Sequence, residues 1–339
     1  NISNTSVQWS GQNWAMVMLP LSQNKNTRIN LLTHELFHRA QRSLGFFAYN
    51  PNNTHLDKKD GRIYLRLELE ALKKAVKASS ENEVKENISD ALAFRAFRYS
   101  QYPGADSTEN LMELNEGICE FTGLMMSGRS KGQMKEYFIK RIDYFISSPS
   151  YLRSFAYETT PVYGYLLSAI KKDWNKKIKG KINLSNYFKK EFGISLPADL
   201  KKQVNTVTNK YRGDIIIKEE ISRDIKNKKQ IAEYQNKLID SPHVELPLLN
   251  MNMSFDYTKM VSLDNQGTVY PQIRITDNWG ILEVEQGALI SPNWNRMNIS
   301  FPVNMEGNTI TGEGWKLELK EGYLLEKDEQ GKNYILKKK

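Results

Sequence analysis

The stretch His34-Glu35-Leu36-Phe37-His38 decides how the first part of this chain is read. It sits in a run where Ile29, Leu32, Leu36 and Ala40 recur at helical spacing, which predicts a helix. Residues four apart share a helix face, so His34 and His38 can aim two imidazoles at one metal ion. Glu35, beside them, can reach a water on that ion. Two nitrogen ligands next to a carboxylate base form the donor set of metal-assisted hydrolysis. The plain alternative is a structural helix with two exposed histidines. The chain has only four histidines, His34, His38, His55 and His243, so the pair is not a by-product of histidine-rich composition.

Outward from this motif, residues 14–19 read as a strand that Pro20 ends. Asn26 or Thr27 can cap the following helix, Gly45 can stop it, and the motif should then lie in the helix middle. Further helical patterns cover 62–79 and 83–100. Tyr102-Pro103-Gly104 breaks the chain. Asp106 and Glu109 suggest a capping-box start for a helix running to Met126 and closed by Gly128. Later helices are predicted over 131–147, 160–172 and 213–238. From Glu245 the period changes: Trp315, Leu317 and Leu319 alternate with Lys316, Glu318 and Lys320. Turn residues recur at Asn265-Gln266-Gly267, Glu306-Gly307-Asn308 and Glu329-Gln330-Gly331. The fold class is therefore α+β, with a mainly helical part over 1–240 and a small all-β sandwich or barrel over 245–339.

A length of 339 residues suits two domains. The net charge of +9 raises nucleic acid as a partner. The lysine clusters at 171–181, 201–229 and 337–339 lack aromatic interleaving and zinc-finger spacing, so they read as solvated helical faces. No run of apolar residues is long enough for a membrane span. The single Cys119 excludes an internal disulfide. The chain starts at Asn1 without an initiator methionine, which suggests a processed or truncated product.

A catalytic zinc takes three protein ligands and one open position. His55, His243, Glu68, Glu70 and Asp90 compete for the third place. Glu116 is the better candidate: Glu113, Glu116 and Glu120 follow at offsets that share a face, on a helix otherwise rich in apolar residues. Buried carboxylates need partners, and a metal with its histidines supplies them. A salt-bridged acidic stripe is the alternative.

His34-Glu35 and His38, followed by Asn115-Glu116-Gly117, resemble the gluzincin zinc metallopeptidases, in particular their aminopeptidase N-like and thermolysin-like branches. The resemblance covers roughly the first half of the chain. It implies a zincin-like domain, Zn2+ as cofactor and hydrolysis of a peptide or protein substrate. Glu35 would be the general base and Glu116 the third ligand, with Glu120 orienting a zinc-binding histidine. Ala156-Tyr157-Glu158 is similar to the segment whose tyrosine stabilises the oxyanion, which points to Tyr157, with His243 as the other candidate. Two extra helices separate His38 from Glu116, and Val17 stands where the aminopeptidase branch places the glutamate that grips a substrate amino terminus. The class implies a secreted, periplasmic or cell-surface protein. Competing readings are a metal-binding protein of the same fold that cleaves no peptide, and a surface-binding or adhesion protein using Trp279 and Trp294 of the β part.

Overall fold

The computed structural model describes residues 4–256 and 259–339. The chain divides into two compact units, Asn1–Ser222 and Arg223–Lys339. The division falls inside a helix, earlier than the Ser241-Pro242 junction chosen from composition. The α+β class holds, with helices in the first unit and mainly strands in the second. Among the described residues, no helix is long and apolar enough to cross a membrane.

The first unit opens with a hairpin, β1 (Thr5–Trp9) and β2 (Gln12–Met16). Ser10 and Gly11 between them both have positive φ, which matches the right-handed twist of a two-residue hairpin. The strand predicted at 14–19 is therefore shorter and has a partner that the sequence reading missed. Helix α1 (Lys25–Ala40) follows. Its cap is Asn24, whose side chain accepts from the Thr27 backbone N–H at 3.0 Å. Asn26 instead donates to the Ser127 carbonyl. The motif thus ends the helix rather than occupying its middle, because α1 stops two residues after His38.

Next come α2 (Lys59–Lys77) and α3 (Glu81–Gln101), with Ser80 and Glu83 closing a capping box at the start of α3. Helices α4 (Ala105–Met112) and α5 (Ile118–Met126) are joined by a π-helical turn, Glu113–Gly117. Asp106 lies in the first turn of α4, with Gly104 at the cap. Then follow α6 (Lys131–Ile146), α7 (Ala156–Ile170), α8 (Leu184–Glu191), α9 (Leu200–Val207) and α10 (Gly213–Gln235). Helices α8 and α9 were not foreseen; each is only eight residues long, too short for a firm period.

Helix α2 is buried on nearly every side, so its charged residues need partners within the protein. Glu68 accepts from Arg95 at 2.7 Å and from Arg98 at 2.8 Å. Arg95 also holds both oxygens of Glu113, at 2.9 and 2.7 Å. Arg98 holds Glu109, which also meets His55 Nε2 at 2.7 Å. The two arginines and three glutamates are wholly buried. Burial opposes the Glu109 carboxylate, yet the charge and hydrogen bonds of Arg98, with His55 and Arg95, hold its pKa down at about 2. This network ties α2, α3 and α4 to the π-helical turn.

The second unit contains two sheets. One orders its strands Tyr323–Lys327, Tyr334–Lys338, His243–Pro247, Arg296–Ser300, Ala288–Ile290, Thr268–Tyr270 and Val261–Ser262; the other orders them Pro302–Glu306, Thr309–Gly312, Trp315–Leu319, Gly280–Val284, Ile273–Asp277 and Asn252–Phe255. Val244, Met297 and Ile299 of the first share one core with Ile275, Leu282 and Leu317 of the second, which makes a sandwich. Trp315, Leu317 and Leu319 face that core while Lys316 and Glu318 face outward, as alternation predicted. Trp279 is a core residue, its Nε1 donating to the Pro247 carbonyl at 2.8 Å, and so drops out as a surface aromatic. Trp294 is 44% exposed.

Replacing Arg95 with leucine would strand Glu113 in the interior with Thr159 as its remaining partner. Such half-broken buried pairs cost about 3–5 kcal/mol. The Arg95→Leu variant should lose that much in urea denaturation followed by circular dichroism.

Candidate metal centre

Helix α1 inverts the usual burial rule. Its buried residues are Asn30, His34 and Glu35, while Leu36 is 55% exposed. A buried polar face costs least where it is paired; α5 and the π-helical turn supply partners for Asn30 and His34, and Glu35 is the exception. Close approach of these elements depends on two glycines. A Cβ at Gly123 would meet the Asn30 side chain on α1 at 2.3 Å, and one at Gly117 would meet Thr160 on α7 at 2.4 Å. Nothing larger than glycine fits either crossing without a shift, so the sequence brings α5 within hydrogen-bond reach of α1.

The π-helical turn then sets which carboxylate goes where. Its wider turn advances less angle per residue, so Glu113 and Glu116 part company despite their offset of three. Glu113 enters the buried arginine network, whereas Glu116 and Glu120 face α1. The shared face expected for all three acids holds only for the last two.

His34 Nε2 and His38 Nε2 lie 2.9 Å apart. Glu116 Oε2 is 3.2 Å from His38 Nε2 and 3.5 Å from His34 Nε2. Ligand atoms of a tetrahedral zinc stand roughly 3.3–3.6 Å from one another, given bonds of about 2.0–2.2 Å. Among the described residues, His34, His38 and Glu116 form the one group of three or more such side chains able to hold a metal ion. Two imidazoles and a carboxylate suit a divalent transition metal.

The outer ring nitrogens are also engaged. His34 Nδ1 donates to Glu120 Oε2 at 3.1 Å, and Asn30 donates to the other Glu120 oxygen at 3.0 Å. His38 Nδ1 lies 2.9 Å from Gln41 Oε1. Gln41 Nε2 is turned away to the Asn115 carbonyl at 2.7 Å, so its oxygen faces the ring and Nδ1 carries the proton. Both Nε2 lone pairs are thereby left for a cation. Asn115 Nδ2 donates to Glu116 Oε1 at 3.0 Å, which leaves Oε2 towards the histidines. Asn30 and Gln41 were missed from the sequence, and Asn115 was read only as part of the Asn115-Glu116-Gly117 motif, without a contact of its own. Asn30 and Gln41 stand four residues before His34 and three after His38, so the helical period could have flagged them.

Glu35 is buried, and its Oε2 has no hydrogen-bond partner in the protein. Burial raises its pKa against the opposing pull of His34 and His38. Tyr157, in the first turn of α7, donates to Glu116 Oε2 at 2.5 Å, and its ring stacks on His34 with centroids 5.6 Å apart. Burial and the Glu116 charge push its phenol pKa upward, so it stays a neutral donor. Burial disfavours a charged His34, but Glu116 and Glu120 outweigh this and raise its pKa to about 9. His38 is raised against burial in the same way, chiefly by Glu116. Burial likewise opposes Glu116 ionisation, yet His34, His38 and Tyr157 hold its carboxyl well below the usual range.

These groups open onto a cleft of about 630 Å³. The hairpin borders it through Ser6 and Asn13, and the segment after α1 borders it through Phe47 and Tyr49. The competing ligands are committed elsewhere. His55 and Glu68 belong to the buried network. Glu70 pairs with Lys73 at 2.7 Å, and Asp90 with Tyr211 at 2.6 Å. His243 lies in the second unit, held by the Ser241 carbonyl at 2.8 Å and by Glu245.

Comparison with known proteins finds no family model, no curated protein and no solved structure that matches this chain.

Two outcomes follow from this geometry. In metal-free protein, the raised His34 pKa adds stability that is complete below its unfolded value of 6.5 and lost as pH climbs through about 9. The loss should be on the order of 3 kcal/mol. The lowered Glu116 pKa acts at the other end, adding stability above 4.5 that disappears in stronger acid. Thermal melts of chelator-treated protein should therefore decline from mildly acidic to alkaline pH, and added zinc should reverse that slope because its ligands must be deprotonated. Separately, Gln41→Leu should weaken zinc binding by about 10- to 100-fold, measured by competition with a chromophoric chelator.

Proposed function

We propose that the protein is a zinc-dependent hydrolase of peptide bonds. The observation that carries this reading is the convergence of His34, His38 and Glu116 beside the unpartnered carboxylate of Glu35, at the floor of an open cleft. Metal storage would need the three ligands but gives no reason to bury an acid with no partner next to them. The four side chains together are the minimum set for activating water.

Zinc held by His34, His38 and Glu116 supplies Lewis acidity towards a water and a carbonyl oxygen. Glu35 takes the proton from the attacking water and returns it to the leaving amine. Burial raises its pKa, which favours the proton transfer it must accept from the water. Tyr157 stays protonated and, once a metal takes the Glu116 Oε2 that its hydroxyl now meets, can turn to donate to the oxyanion that develops on the substrate carbonyl. Glu120 and Gln41 keep the two rings in one tautomer throughout. Aromatic residues Phe47 and Tyr49 offer apolar surface to substrate side chains.

The test pairs metal analysis with a mixture of quenched fluorescent peptides. The protein should carry about one zinc per chain, and 1,10-phenanthroline should stop cleavage until zinc is restored. Glu35→Gln should keep its zinc and lose roughly 100- to 10,000-fold in kcat. An unchanged kcat in that variant removes Glu35 as the base, whereas a wild type that holds no zinc and cleaves no peptide removes the hydrolase.

A further inference from the structure

Among the described residues, the cleft is lined by one cationic side chain besides the histidines, Arg42. It follows His38 by four residues, in the turns that continue α1, and so lies one turn beyond the metal centre. The neighbouring arginines are occupied. Arg28 donates to the Ser22 carbonyl at 2.9 Å, and Arg39 to the Asn13 carbonyl at 2.7 Å. Arg42 is exposed, and among the described residues its guanidinium has no ion pair or hydrogen bond. The carboxylates lining the cleft, Glu35 and Glu116, are the base and the ligand. Among the described residues that line the cleft, no spare acid could receive a substrate amino group.

We infer that Arg42 makes the cleft select peptides that carry a carboxylate close to the bond being cleaved. The inference rests on the peptidase reading above. A guanidinium presents a planar fork matched to two carboxylate oxygens, and a pair formed inside a cleft is screened less than one on an open surface. A cation near a helix C-terminus is favoured by the helix dipole in any case. That effect needs no particular direction, whereas this one faces the cleft. The carboxylate has two sources, the free C-terminus of a short peptide or an acidic side chain within a longer one. Both present the same ligand to Arg42.

The probes are three peptides of one apolar sequence. The first is blocked at both ends, the second has a free C-terminal carboxylate, and the third is blocked but carries one glutamate. Binding is measured by calorimetry to the zinc-loaded Glu35→Gln protein and to the same protein with Arg42→Ala added. At least one anionic peptide should bind about 10- to 100-fold more tightly than the neutral one, and Arg42→Ala should bring that ratio close to one. Arg42→Lys should recover part of it. The stronger binder of the two anionic peptides identifies the source. Equal affinity for neutral and anionic peptides, or a preference that survives Arg42→Ala, overturns the role of Arg42 while Glu35-dependent cleavage by the wild type stands. If none of the three binds and the wild type cleaves no peptide, the peptidase reading fails and this inference falls with it.

Discussion

The buried charge network of Arg95 and Arg98 with Glu68, Glu109 and Glu113 is the constraint on which the first unit depends. Five ionised groups away from water are tolerable only when each finds its partners at hydrogen-bond distance. That requirement removes freedom from α2, α3 and α4 at once. Since Glu113 belongs to the π-helical turn, the network fixes the turn as well, and the turn aims Glu116. The metal centre thus sits at the end of a rigid chain of ion pairs.

The centre itself is arranged as an electrostatic balance. Glu116 and Glu120 favour charge on the rings, and the rings favour charge on Glu116. In the absence of a cation, protons fill this role. A divalent ion can replace them because both Nε2 atoms and one carboxylate oxygen already lie near ligand spacing. Little rearrangement is then needed on binding, which is how preorganised sites gain affinity. Glu35 is left out of the exchange. It is close enough to feel the rings and is bonded to none of them.

Much of this was legible in the sequence, for identifiable reasons. His34 and His38 lie within one helix, where spacing alone fixes a shared face. The β unit declared itself by alternation at 315–319. Glu116 was singled out by its place on an acidic face of an apolar helix and Glu120 through the Asn115-Glu116-Gly117 resemblance, and the structure brings both to the histidines. What stayed hidden depended on pairing across distance. The β1 partner of β2 alternates Val7 and Trp9 with Ser6 and Gln8 over only five residues, too short a run to stand out alone, and Glu68 and Asp90 looked like free acids until their arginine and tyrosine partners were placed. The π-helical turn has no period of its own to read, so Glu113 was assigned to the wrong face. Trp279 was offered as exposed because an aromatic between turn residues gives no sign of which way it faces.

His38 and Glu116 are 78 positions apart, and that separation has a consequence for timing. During synthesis α1 emerges early with only two imidazoles to offer, a weak chelate at best. The carboxylate arrives after α2 and α3, and can be seated only once those helices have docked. Capture of a cation by all three groups would therefore mark the end of assembly of this unit rather than its beginning. On the peptidase reading proposed above, an unfinished chain would have no working centre to turn on the peptides around it.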